Sequence, residues 1–241
     1  MLSTEDNELL TQVGPGTPMG NLMRQYWLPA LIPWELEADG PPLRVRLLGE
    51  DLIAFRDTDG RVGMLADNCS HRGASLFFGR NEECGLRCVY HGWKFDADGN
   101  CVDMPNEPAE SNFKDRIRHT AYQCVERGGL IWTYMGPLDP PPPLPGFETN
   151  DLHDDHIQVV KRVQATNWAQ AMEGQIDQSH VSFLHSYLDP DADRGNGGGG
   201  GPTNRITQIR AADKHPHFEV APTNYGVVIS ARRSSGDDLY Y

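Results

Sequence analysis

Two Cys-His pairs are the residues of this 241-residue chain best suited to hold metal: Cys69-x-His71 in CSH and Cys88-x2-His91 in CVYH, with 16 residues between them. Two thiolates and two imidazoles make a tetrahedral set that can hold zinc. They can equally hold a 2Fe-2S cluster, with both cysteines on one iron and both histidines on the other. Zinc fingers group cysteines with cysteines and histidines with histidines, whereas here each loop contributes one of each. That pairing lets two facing loops grip a two-iron cluster from both sides. Gly73 and Gly92 follow the histidines. Trp93 can shield the site from water and Arg72 can meet an acidic donor, or both, with Lys94, simply pack the loops. Cys84, Cys101 and Cys124 are left over as core or surface thiols.

A second constellation lies in TNWAQAMEGQIDQSHVSFLHS, the only long helical pattern in the chain, with Thr166 or Asn167 as its cap. At about 100° per residue, Glu173, Asp177 and His180 share one face. His185 is about 140° further round, so both histidines reach one metal only if the helix bulges or ends between them; a π-bulge suits that place. Two imidazoles and a carboxylate make the facial triad of mononuclear non-haem iron, with open positions for dioxygen and substrate. Taken alone, the spacing equally describes a solvated amphipathic helix. His153, His156, His215 and His217 read as solvent-facing.

The elements that must position these residues are mostly strands. Thr17 and Pro18 open a short helix reaching about Tyr26. LRVRLLG, LIAFRD and VGMLAD follow as strands, with turns at Glu50-Asp51 and Thr58-Asp59-Gly60. GLRCVY comes next, then KFDADGNCV turning at Asp98-Gly99-Asn100, then YQCVERGGLIWTYMG reversing at Gly128-Gly129. After an N-terminal segment (1–23), residues 24–136 therefore read as a small antiparallel β domain. Six prolines between Pro137 and Pro145 make 137–146 a stiff extended connector. Residues 147–241 form a second domain: a strand IQVVKRVQ, the long helix, a flexible acidic and glycine-rich loop over 189–202, and strands ITQIR, HFEVAP and YGVVISARR.

Composition bounds the rest. A net charge of −13 opposes nucleic acid and anionic membrane as partners. No run approaches the ~18 apolar residues of a membrane span, and MLSTEDNELL lacks a secretory pattern. Five cysteines do not describe a disulfide framework. The expectation is an acidic, soluble, cytoplasmic protein. Its 25 glycines and 18 prolines, roughly 18 % of the chain against about 12 % on average, suit short strands joined by many turns.

CSHRGASL…G…CVYHGWKFDADG resembles the signature of Rieske iron–sulfur domains, and its flanks resemble ring-hydroxylating oxygenases, most of all phthalate-dioxygenase-like alpha subunits. NWAQAMEGQIDQSHVSFLH resembles the catalytic-iron helix of the same enzymes, Asp-x2-His-x4-His. The resemblance implies an α+β chain: a small antiparallel β Rieske domain, then an incomplete α+β catalytic domain with an antiparallel sheet around a helix in the helix-grip manner. It implies a 2Fe-2S cluster on Cys69, His71, Cys88 and His91, and mononuclear Fe(II) on His180 and His185. Asp177 would be the catalytic carboxylate that bonds His180 and links to His91 of an adjacent subunit in a head-to-tail homotrimer. A flavin or iron–sulfur reductase would supply electrons, and O2 would hydroxylate or oxidatively demethylate an aromatic, chiefly aromatic-acid, substrate, with Arg205, Arg210, Arg232 and Arg233 as candidate anchors. Ala74 and Tyr90 stand where respiratory Rieske proteins carry two further cysteines, which implies a lower potential. In the family the third iron ligand lies on a later helix, so the resemblance further implies a chain cut inside its catalytic domain: a two-histidine half-site, an exposed sheet edge prone to aggregation and no turnover alone. Asp177, Asp213, Glu219, Asp237 and Asp238 are the substitutes within reach of the sequence. A stand-alone Rieske electron carrier and a zinc-binding interaction module are the rival expectations.

Overall fold

The computed structural model describes residues 2–108, 110–185, 205–224 and 226–241, and its contacts divide the chain into Met1–Gln164 and Ala165–Tyr241. In the first unit, α1 (Thr4–Thr11) precedes α2 (Pro18–Met23). Thr17 caps α2 by accepting from the Gly20 N–H, and Pro18 presets the first helical φ. A six-stranded antiparallel sheet follows in the order β1-β10-β9-β4-β3-β2, built from β1 (Trp27–Leu31), β2 (Leu43–Leu47), β3 (Glu50–Arg56), β4 (Val62–Ala66), β9 (Ala121–Arg127) and β10 (Leu130–Tyr134). A four-stranded sheet of β5 (Arg80–Glu82), β6 (Gly85–Arg87), β7 (Lys94–Phe95) and β8 (Cys101–Asp103) lies between β4 and β9 in sequence.

Turn chemistry sets the registers. Leu47 pairs with Glu50, so the β2–β3 reversal is Leu48-Gly49, at φ 44° and 80°, and not the expected Glu50-Asp51. Two positive φ values are what a two-residue hairpin turn demands, and Gly49 meets one of them without cost. Gly128-Gly129 closes β9–β10 in the same way, at φ 62° and 71°. Asp57, 1 % exposed, closes β3–β4 by accepting from the Asp59 and Arg61 N–H groups at 3.0 and 2.8 Å. The fully buried Ile53, Phe55, Leu65, Leu76, Leu86 and Phe95 form one cluster with Cys69, Cys88 and Trp93, so the two cysteine loops grow out of the best-packed part of the unit.

Several expectations are corrected. β1, with Pro29 inside it, was not anticipated; it is an edge strand beside β10, the place where proline is tolerated. Residues 157–164 form no strand: Ile157 and Val159 lie against the Gly129 turn instead of pairing in a ladder. The proline run is tied down at two points: Trp27 Nε1 donates to Pro142 O at 2.7 Å and Asn150 Nδ2 to Pro145 O at 2.9 Å. By their contacts, residues up to Gln164 group with the first unit.

The second unit holds α3 (Trp168–Ile176), α4 (Arg205–Ala212) and a three-stranded antiparallel sheet of β11 (His217–Thr223), β12 (Gly226–Ser235) and β13 (Asp238–Tyr240). ITQIR is thus helical, not a strand: Ile206 and Ile209 share a helix face, and α4 packs on β12. α3 stops at Ile176, so the single long helix and its π-bulge are replaced by a shorter helix and a 3-10 turn over His180–Ser182. β13 was not anticipated; Gly236 at φ 62° turns the chain into it. The expected flexible loop (189–202) lies outside the described residues. Both units are built on antiparallel sheets with few helices, an α+β chain. Among the described residues no helix is long and apolar enough to cross a membrane.

Candidate functional site

Two loops of one design bring the four Cys and His residues together. In the loop after β4, the Cys69 N–H donates to Ala74 O at 2.9 Å and the Gly73 N–H to Cys69 O at 2.8 Å. In the loop between β6 and β7, the Cys88 N–H donates to Trp93 O at 2.8 Å and the Gly92 N–H to Cys88 O at 3.1 Å. Each closure needs a left-handed residue, supplied by Gly73 (φ 71°) and Gly92 (φ 78°). At Gly92 a side chain would also strike Pro105 Cγ at 2.6 Å.

The result is a cluster of two thiols and two imidazoles. Cys69 and Cys88 are each 3 % exposed, free, and within hydrogen-bonding reach of each other. Burial pushes the Cys69 thiol up to about 11, the Cys88 thiol adds to that rise, and the His71 and Arg72 N–H groups oppose it. The His71 and His91 rings stand 4.5 Å apart. Among the described residues neither Nδ1 has a hydrogen-bond partner, although both atoms are buried. An unmet buried polar atom costs ~1–3 kcal/mol, and metal coordination removes that cost. Burial holds the His71 imidazole below the usual histidine range, as does the facing His91. A 2Fe-2S cluster fits this set, because each iron takes two protein ligands.

The surroundings add groups that the spacing did not reveal. Trp93, 5 % exposed, stacks on His71 at 4.4 Å and 7°, and its Nε1 donates to Asn106 Oδ1 at 2.9 Å. His119, 5 % exposed, faces Ala66 O through Nε2 at 2.8 Å and Ser70 Oγ through Nδ1 at 2.7 Å. A carbonyl can only accept, so Nε2 carries the proton and Nδ1 accepts from Ser70. Burial lowers the His119 pKa, consistent with that neutral form. The pair ties the first loop to β4 from 49 residues away in sequence, a separation that leaves no local signal.

In the second unit Asn167 caps α3, and Asp177 ends it in an extended conformation. Asp177 therefore meets His180 through a turn, not along a helix face. Its Oδ1 accepts from the Ser179 N–H at 2.7 Å, and Oδ2 lies 3.2 Å from His180 Nδ1. The Ser179 N–H, with His180 adding to it, holds the Asp177 carboxyl below the usual carboxylate range. The His180 and His185 rings stand 5.1 Å apart. Two imidazoles, one with Nδ1 turned to a carboxylate, match the way metal-bound histidines are oriented. Of the proposed substitutes for a third ligand, Asp213 accepts from the Ser234 and His215 N–H groups and Glu219 pairs with Arg232 at 3.0 Å. His153, His156, His215 and His217 are exposed, as expected. Arg205 lies 3.6 Å from Asp238, Arg233 is buried, and Arg210 lines a cleft of about 390 Å³ with Ile209, Ile229 and Tyr240.

A family described as Rieske [2Fe-2S] domain matches residues 26–122, and one described as LigXa C-terminal domain like matches residues 133–238. The 3-chlorobenzoate-3,4-dioxygenase oxygenase subunit of Comamonas testosteroni is 52 % identical over 185 residues, 77 % of this chain and 43 % of that protein. The phthalate 4,5-dioxygenase oxygenase subunit of Pseudomonas putida is 45 % identical over 234 residues, 97 % of this chain and 53 % of that protein. The chain spans about half the length of the curated relatives it matches. The solved reduced complex between oxygenase and ferredoxin in carbazole 1,9a-dioxygenase is similar with a TM-score of 0.56 at 32 % identity, covering 66 % of this chain and 41 % of that one.

Proposed function

Because the chain belongs to the Rieske iron–sulfur oxygenase family, we propose that it forms the cluster-bearing part of an oxygenase component that hydroxylates, or oxidatively demethylates, an aromatic acid. One observation carries this proposal: two loops of matching design face each other with two free thiols and two buried, unbonded Nδ1 atoms. When bound, a 2Fe-2S cluster on Cys69, His71, Cys88 and His91 stores and passes single electrons, and an iron on His180 and His185 activates dioxygen.

The protein's own part is geometry and exclusion of water. The paired closures at Gly73 and Gly92 hold the four donors face to face. Trp93 covers one face of His71. Asp177 takes the His180 Nδ1 proton as a hydrogen bond, which leaves Nε2 for metal. The active assembly is a head-to-tail homotrimer in the cytoplasm, with Asp177 bridging to His91 of the partner subunit. The exposed Val89 and Tyr90 beside His91 support a partner at that edge. The electron donor is a flavin or iron–sulfur reductase, directly or through a ferredoxin like that bound to the carbazole oxygenase. The exposed Arg72 offers an acidic donor a contact. Chlorobenzoate and phthalate oxygenases among the relatives support an aromatic carboxylate as substrate, and Arg210 on its apolar-walled cleft is the anchor we assign.

Joined to the part of the phthalate 4,5-dioxygenase oxygenase subunit that this chain does not span, and supplied with a reductase and ferredoxin under 18O2, the reconstituted protein tests this against a panel of benzoates and phthalates. Labelled oxygen in a product is expected. Rapid cluster reduction and reoxidation without labelled product across the panel would favour the electron carrier instead.

A further inference from the structure

We propose that Arg233 is a positioning residue for the His180 metal ligand, an assignment that rests on the iron-binding role given to His180 and His185 above. Arg233 is 5 % exposed, whereas every other described position of β12 is half-buried or exposed. Burying a guanidinium is costly unless its donors are met. They are met in a specific way. Nη2 donates to Gln178 O at 2.7 Å, and Nη1 donates to Ser182 Oγ at 3.0 Å and to Asp213 O. Gln178 and Ser182 lie two residues before and two after His180, so one rigid planar group holds the chain through a carbonyl before the ligand and a hydroxyl after it. Ser182 is itself buried, at 3 % exposure.

The third contact anchors the bracket. Asp213, just beyond α4, gives its carbonyl to Arg233 and its carboxylate to the Ser234 and His215 N–H groups. The 3-10 turn over His180–Ser182 has no side-chain cap of its own. Asp177 fixes the imidazole through Nδ1, while Arg233 fixes the chain that bears it. These are separate constraints, and both are needed to point Nε2 in one direction. A lysine cannot reproduce them, because a single ammonium lacks the planar fork that reaches three acceptors from two nitrogens. The same contacts remove Arg233 from the candidate substrate anchors.

The test is a cobalt(II) titration of the protein by calorimetry, with the cobalt EPR line shape as a geometric readout, circular dichroism melting as a monitor of folding of the unit that holds Arg233, and the Rieske EPR signal as a check on the other unit. Arg233→Lys should weaken cobalt binding about 10- to 100-fold, the range for residues that orient metal ligands, and broaden the cobalt signal while the Rieske signal is unchanged. Wild-type affinity and line shape in that variant would overturn the inference. If Arg233→Lys does not fold, Ser182→Ala removes one arm alone: weaker cobalt binding supports the bracket, and unchanged binding refutes it. His180→Ala separates the two layers. Loss of cobalt there with wild-type behaviour in Arg233→Lys rejects only the bracket, whereas retained cobalt rejects the metal site and the bracket with it.

Discussion

Gly73 and Gly92 occupy equivalent places in the two cluster loops, and alanine at each separates two physical costs. Both sit at positive φ, 71° and 78°, where a side chain costs ~1–2 kcal/mol. At Gly73 a Cβ meets nothing within 4 Å, so that cost is the whole effect. At Gly92 the Cβ lies 2.6 Å from Pro105 Cγ, and a ring of fixed geometry cannot swing aside. Overpacking of this kind adds ~1–3 kcal/mol. Gly92→Ala should therefore unfold about 2–12 °C below Gly73→Ala, at ~2–4 °C per kcal/mol for a protein of this size. The assay is circular dichroism melting of the cluster-loaded proteins at one scan rate, with visible absorbance reporting cluster loss. Adding Pro105→Ala to Gly92→Ala should recover most of the difference. Equal melting of the two single variants, or no recovery, would refute the claim that Pro105 bears on the His91 loop.

Replacing His91 by Cys adds a thiolate and should move the cluster potential downward by on the order of 100 mV, about half the least separation between Rieske and all-cysteine clusters; an unchanged potential by EPR-monitored redox titration would reject His91 as a ligand. Asp177→Asn keeps an oxygen for the Ser179 N–H but removes the charge facing His180, so with both metal sites kept loaded by excess Fe(II), stopped-flow electron transfer to the second iron should slow at least ~10-fold; normal turnover would count against the bridge. Burial, with the hydrogen bond to Glu50 second, pushes the Tyr122 phenol up to about 12 from 10. A raised folded-state value gives stability that is complete below 10 and is lost as pH climbs toward 12, so Tyr122→Phe should flatten that alkaline part of the urea-denaturation profile, and an unaltered slope would show that Tyr122 does not titrate with unfolding.

That Cys69, His71, Cys88 and His91 come together was legible because the signal is local: each pair sits within one short loop, and residue type plus spacing restricts the metal they suit. The β hairpins were legible for the same reason wherever glycine pairs mark the reversal, as at Gly128-Gly129. The β2–β3 turn was misplaced by two residues because Leu48 sits at positive φ, a conformation that an apolar side chain does not advertise. β1 was missed because Pro29 argues against a strand until its edge position is known. IQVVKRVQ has the composition of a strand, but a strand needs a partner to satisfy its backbone, and none pairs with it among the described residues. Around His180 the participants were legible and their geometry was not. Helical periodicity grouped Asp177 with His180, but the helix ends first and a turn makes the contact. Long-range supports such as His119 under Ser70, or Arg233 around His180, leave no trace in local pattern.

Metal analysis joined to EPR tests the central claim most directly. The expected result is a reddish-brown protein with two irons and two acid-labile sulfides per chain and a rhombic Rieske signal that His71→Ala or His91→Ala abolishes. A third, more weakly held iron is expected as well, which His180→Ala or His185→Ala removes without touching that signal. Two irons with no third site under Fe(II) saturation would contradict the oxygenase and leave a carrier, and a colourless protein holding zinc would contradict both.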